Sequence, residues 1–235
     1  RARVEAAEFQ QELARLRATD YVDYQGVARA KLPVLQLLYD HFRATELDRD
    51  MDRARAFRAY QLERGEPLRR QALHDAIDAH LRPQDPERYW GWPAWPEELR
   101  DPAGAGAREF EAGHRDEVGF HAWMQWIADE QLASAQRLAR VLGMPIGLYG
   151  DYAVGVNPSG AETWSDQRVY RMGAGVGAPP DPLALKGQDW GIPPQDPHAL
   201  VVERYRPFRD LIAANMRHFG ALRLDHVMAL FRQWW

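Results

Sequence analysis

Through the first 143 residues, apolar side chains recur at three- and four-residue intervals, which predicts a mainly helical region. Val4, Phe9, Leu13 and Leu16 form one amphipathic stripe, and Val34, Leu35, Leu38 and Phe42 form a second. A further helix has Pro67 in its first turn and Leu68, Ala72, Leu73, Ile77 and Leu81 as its apolar face. Pro83-Gln84-Asp85-Pro86 ends it, and two prolines keep residues 89–96 out of regular helix. A long helical stretch then covers residues 106–142, with Gly143 as its stop.

The pattern changes after Gly143. Residues 144–156 are rich in Val, Ile and Tyr and bounded by turn residues, which predicts a strand or a strand plus loop. Pro158, Pro179, Pro180, Pro182, Pro193, Pro194 and Pro197 predict a long loop over 157–199, and long loops inside compact domains usually carry function. A helix over 206–219 follows, facing inward through Phe208, Leu211, Ile212 and Met216, with Gly220 as its stop. The segment 221–227 then reads as a strand. Strand, excursion, helix and strand make a β-α-β unit, which implies a parallel sheet.

That last strand carries the chemistry. Alternation puts Leu222 and Leu224 on one face and Arg223, Asp225 and Val227 on the other. A neighbouring cation favours the ionised form of a carboxylate, as a nucleophilic or charge-stabilising aspartate requires. A structural ion pair at a strand end fits the same spacing. His226 suits either a ligand contact or a cap on the strand end.

Composition narrows the classes. Of 235 residues, 46% are hydrophobic and 27% charged, which excludes wholesale disorder. A net charge of -4 argues against a nucleic-acid partner. Lys31 and Lys186 are the only lysines, so arginine supplies nearly all the positive charge. The absence of cysteine removes disulfides, thiolate zinc sites and thiol nucleophiles. No signal-peptide pattern and no apolar run of about 18 residues occurs, so a soluble cytoplasmic protein without a membrane partner is expected. The start at Arg1 inside a helical pattern and the end at Trp234-Trp235 suggest a segment of a longer protein.

Several motifs together resemble one family. Arg223-Leu224-Asp225-His226, residues 214–218 (Ala-Asn-Met-Arg-His) and Gly187-Gln188-Asp189-Trp190-Gly191 are similar to 4-α-glucanotransferases, the amylomaltases or disproportionating enzymes of glycoside hydrolase family 77. So are residues 147–156, 160–164 and 176–181, and in the helical part residues 89–95 and 123–131. The resemblance implies an α/β fold that is part of a (β/α)8 TIM-type barrel. Residues 1–143 would be a large, mainly helical insertion, and 144–235 a barrel segment with two parallel strands and a long substrate-groove loop.

The resemblance further implies that Asp225 is the nucleophile, at the end of a barrel strand, held by Arg223. The segment 176–191, with Asp181, Gln188 and Trp190, would line the glucan groove. Trp190 offers a face for a sugar ring, or packs the loop on the barrel. Asp151 is a second site-lining carboxylate or a structural hydrogen-bonding group. The partner is a maltooligosaccharide or starch-type glucan, and no cofactor is needed. Family members carry an acid/base glutamate and a transition-state-stabilising aspartate on later strands, which would lie beyond Trp235, so the isolated segment is expected to be inactive. Some relatives also carry an aspartate near Ser159, and its absence weakens the case for a substrate contact from that loop.

Other signals carry less. Glu111 and His114 have Glu-x-x-His spacing, but a single copy predicts no metal site. Residues 173–177 resemble a phosphate loop, yet Pro179-Pro180 stand where a helix should begin. His74 and Asp78 read as a solvated pair. Trp90, Trp92 and Trp95 suit a core or subdomain interface better than a sugar platform. Two other functions compete with transfer: a catalytically inert glycan-binding or scaffold protein built on barrel remnants, and an α-amylase-type hydrolase.

Overall fold

The computed structural model describes residues 1–235. Short helices α1 (Ala2–Glu5) and α2 (Ala7–Arg17) lead into α3 (Tyr24–Phe42), where Asp23 caps the first turn by accepting the Gly26 amide at 2.8 Å. A π-helical turn, Arg43–Leu47, passes the chain into α4 (Asp52–Leu81), which kinks at Gly65 (φ 57°). Pro67 opens the second half of α4, in the first-turn position its ring favours. Then come α5 (Glu97–Arg100), α6 (Ala105–Gly113) and α7 (Arg115–Val141).

The apolar stripes explain the packing. Leu68, Ala72, Leu73, Ile77 and Leu81 are all buried; Leu73, Ile77 and Leu81 belong to one core cluster and Ala72 to a second. On α7, Phe120, Trp123 and Trp126 stand at three-residue steps and meet Tyr39, Phe42 and Phe57, with ring centroids 5.4 to 6.1 Å apart. Each such ring contributes about 2–3 kcal/mol of apolar burial.

Two helical expectations shift. In α3 the buried positions are Gly26, Ala30, Tyr39 and Phe42, while Leu38 is exposed, so the aromatic Tyr39 displaces the aliphatic residue beside it. The stretch 106–142 is two helices. Gly113 weakens the first, and His114 leaves helical geometry (ψ 39°) with its ring stacked 4.0 Å over Phe110. Gly143 closes α7 as expected, at φ 81°, with Met144 N–H bonded to the Ala139 carbonyl and Gly143 N–H to that of Arg140.

The second half contains β1 (Tyr149–Tyr152), α8 (Ala161–Ser165), β2 (Val176–Ala178), β3 (Gln188–Ile192), α9 (Pro197–Val202), α10 (Arg206–Met216) and β4 (Ala221–Leu224). β1 and β4 pair in parallel, with Tyr149 opposite Ala221 and Asp151 opposite Arg223. The chain is thus a mixed helical and sheet protein.

Residues 157–199 are not a structureless loop. β2 and β3 form an antiparallel hairpin, and α8 sends Trp164 and Thr163, both 0% exposed, into the helical core. There Trp92 Nε1 donates to Thr163 Oγ1 at 2.9 Å and Trp164 Nε1 to the Leu99 carbonyl at 3.0 Å. These bonds let polar groups be buried without the cost of leaving them unpaired.

Gly220 has a different reason from the one expected. It does not terminate α10, which ends at Met216, and it is not in the left-handed region. A Cβ there would fall 1.6 Å from the Ile146 carbonyl oxygen, so glycine is needed where the approaches to β1 and β4 touch. The last strand is also shorter than 221–227: it ends at Leu224, His226 turns left-handed (φ 49°) and Val227 enters a short 3-10 turn, so strand alternation no longer sets where Val227 points.

Candidate functional site

Parallel pairing brings the C-terminal ends of β1 and β4 to the same edge, where α/β proteins place their ligands. Arg223 bridges two carboxylates there. Its Nη1 donates to Asp151 Oδ2 at 2.6 Å and its Nη2 to Asp225 Oδ1 at 2.7 Å. All three side chains are about half exposed (51%, 58% and 50%), so the pairs themselves contribute at most about 1 kcal/mol to stability. Their value is geometric. One guanidinium fixes the orientation of two acids.

Asp225 lies one residue past β4, its amide still bonded to the Tyr152 carbonyl at 3.3 Å. The left-handed His226 next to it costs on the order of 1 kcal/mol, a cost concentrated at functional positions. Its ring meets Trp190 edge to face, with centroids 4.9 Å apart. Trp190 comes from β3, and its Nε1 donates to Gln188 Oε1 at 2.9 Å, which fixes the indole plane. Trp190, Arg223, Asp225 and His226 line one open cavity of about 570 Å³.

The structure therefore joins four of the expected site residues in a cavity and ties Asp151 and Gln188 to it through single hydrogen bonds. Asp181 is apart. Its Oδ1 accepts the Leu183 and Ala184 amides in the turn between β2 and β3. The remaining wall consists of Val154, Leu224, Val227 and Met228. Alternation past β1 places Val154 on the face of Tyr152, opposite Asp151, so the pattern gave no signal for it. Nothing in the pattern pointed to Met228, which the 3-10 turn delivers.

The lesser signals find places in the helical core. Glu111 pairs with Arg69, and His114 stacks on Phe110. His74 and Asp78 are not a solvated pair: Asp78 pairs with Arg82, while buried His74 contacts Asp75 and the Ser159 carbonyl, each at 3.1 Å. Burial between Trp95 and Trp164 decides this, because ring contacts with two tryptophans outweigh an exposed helix pair. Trp92 and Trp95 are core residues and Trp90 is 51% exposed. The glycines of 173–177 run into β2 and cradle no helix N-terminus. No helix is long and apolar enough to cross a membrane.

One edge of the parallel strand pair thus carries an ion-paired aspartate, with a tryptophan from the neighbouring hairpin beside it. The family model described as 4-alpha-glucanotransferase matches residues 2–235. The chain is 39% identical over 230 residues to a 4-alpha-glucanotransferase of Haemophilus influenzae, covering 97% of this chain and 33% of that protein. It is 41% identical over 216 residues to one of Mycobacterium bovis, covering 92% and 28%. A crystal structure of amylomaltase from Corynebacterium glutamicum superposes with TM-score 0.68 at 31% identity, over 97% of this chain and 31% of that one. Amylomaltase from Streptococcus agalactiae, solved in complex with acarbose, shares the fold at TM-score 0.76 and 19% identity, over 91% and 42%. The chain belongs to the 4-alpha-glucanotransferase family, glycoside hydrolase family 77. It spans about a third of the length of the curated relatives it matches.

Proposed function

We propose that the full-length protein is a 4-α-glucanotransferase that moves α-1,4-glucan segments between maltooligosaccharides by a retaining double displacement. The observation that carries this reading is the Arg223 bridge, which holds Asp225 at the end of β4 in a cavity shared with Trp190 and His226. Arg223 occupies Asp225 Oδ1, so Oδ2 is the oxygen directed to chemistry. That oxygen attacks the anomeric carbon of the donor, and the glycosidic bond breaks as the departing O4 takes a proton from a general acid. The ester bond from Asp225 to the sugar is then broken by the 4-hydroxyl of an acceptor glucan, which gives up its proton to the same group acting as base. Two inversions retain the α configuration. The acid/base carboxyl is not assigned to any residue of this chain.

In this reading Trp190 stacks on a sugar ring, His226 contacts a sugar hydroxyl, and Gln188 and Asp151 support them. Asp181 belongs to the rim of the glucan groove. The hairpin that carries Trp190 helps exclude water, which favours transfer over hydrolysis. Residues 1–143 form the helical insertion, and 144–235 form the barrel segment, with β1 and β4 as two of its strands. A cytoplasmic location belongs to the same proposal.

The test incubates the full-length protein with maltotriose and follows chain-length redistribution against the gain of reducing ends. Longer and shorter oligosaccharides with no gain in reducing ends are expected. A gain matching every bond broken identifies a hydrolase, and no product at all supports an inert glycan-binding protein.

A further inference from the structure

Helix α7 touches the approaches to both parallel strands. Near its end, Gln136 Oε1 accepts the Leu148 amide at 2.6 Å, one residue before β1, and Arg140 donates to the Pro145 carbonyl. Two turns earlier, Asp129 Oδ1 lies 2.9 Å from His218 Nε2 and 3.5 Å from Arg217 Nε, in the connection between α10 and β4. Arg64, beside the kink of α4, donates to the same oxygen at 2.6 Å. Glu63 takes the two terminal nitrogens of Arg217 at 2.8 and 3.2 Å. The network is sheltered: the Asp129 and His218 side chains are 18% and 15% exposed. Burial opposes the charge on Asp129, yet His218, Arg64 and Arg217 hold its carboxyl below the usual carboxylate range.

We propose that Asp129 is a positioning residue for the reacting strand: from α7 it holds the Arg217-His218 turn and thereby fixes β4 on β1. The kinetic part of this inference rests on the reading of Asp225 as nucleophile. Only Phe219 and Gly220 separate His218 from β4, so a displacement of the turn passes directly to Arg223. Gly220 leaves no slack to absorb it, because its backbone already abuts the Ile146 carbonyl and its amide is bonded to Leu148 O at 2.9 Å. The register that sets Arg223 opposite Asp151 is thus held at two points of one rigid helix, Gln136 for β1 and Asp129 for β4.

The test uses the full-length protein with Asp129→Asn and Asp129→Glu. Amide hydrogen exchange over residues 221–225 is measured beside kcat and KM for glucose release from maltotriose. Asp129→Asn is expected to speed exchange in that strand several-fold and to lower kcat by about tenfold to a hundredfold, as a misplacement near 1 Å does, with KM within about twofold. Asp129→Glu is expected to restore part of kcat. Unchanged exchange and turnover in the folded Asn variant overturn the proposal, and so does faster exchange spread evenly over all the helices with no rescue by Glu. If Asp129→Asn does not fold, Arg217→Gln tests the same contact from its partner, with the same two outcomes. Normal turnover in Asp225→Asn removes the reading of the site and leaves the exchange result to decide the role of Asp129.

Discussion

Asp151 and Arg223 stand at matched positions of two parallel strands and are joined at 2.6 Å. The other arm of the same guanidinium holds Asp225, so Asp151 sets the plane in which that proposed nucleophile is presented. Asp151→Ala should therefore lower kcat about tenfold, a typical loss when an orienting partner is removed. Because the pair is about half exposed, unfolding free energy should change by less than about 1 kcal/mol. Steady-state kinetics beside thermal melts check this, and equal losses in both would make Asp151 a stability residue only.

Trp190 is held by Gln188 and by the ring of His226. Trp190→Ala should raise KM for maltotriose about five- to tenfold, the worth of one aromatic stack, with a smaller change in kcat. Trp190→Phe should keep most of the affinity, since it keeps a ring and loses only the donor to Gln188. An unchanged KM in the Ala variant would place the indole outside the glucan path.

Trp164 is fully buried against Trp95, with ring centroids 6.0 Å apart. Trp164→Ala should cost about 3–5 kcal/mol, since it opens a large cavity and strands the Leu99 carbonyl. Denaturant unfolding measures the loss, and a value below about 1 kcal/mol would contradict this packing.

Much of the fold and of the site is legible in the sequence. The face of α4 from Leu68 to Leu81 followed from helical spacing, and Gly143 followed from the rule for helix ends. The shared face of Arg223 and Asp225 followed from strand alternation, which the 2.7 Å contact bears out. Trp164 and the hairpin did not. A five-residue helix is too short to show a period, and β2 has only three residues, so both owe their form to tertiary contacts. Gly220 looked like a helix stop because a close approach between two backbones leaves no local mark. Leu38 and Tyr39 are adjacent and both apolar, so periodicity alone could not choose the one that faces Trp123.

Burial raises the hydroxyls of Tyr39 and Tyr170 to about 12 from the ordinary 10.0. The unfolded chain loses these protons near pH 10 while the folded chain keeps them. Their stabilisation is full below that pH and is lost as pH rises toward 12. Urea midpoints should therefore fall over that window, and a Tyr39→Phe, Tyr170→Phe double variant should flatten the slope. A slope unchanged by the double substitution would assign the alkaline loss to other groups.

The most direct measurement is glucose release from maltotriose by the full-length protein carrying Asp225→Asn. The amide keeps the shape of the side chain and its place beside Arg223 but offers no nucleophilic oxygen. Turnover is expected to fall about a thousandfold or more with circular dichroism unchanged. Activity near wild type would contradict Asp225 as the nucleophile.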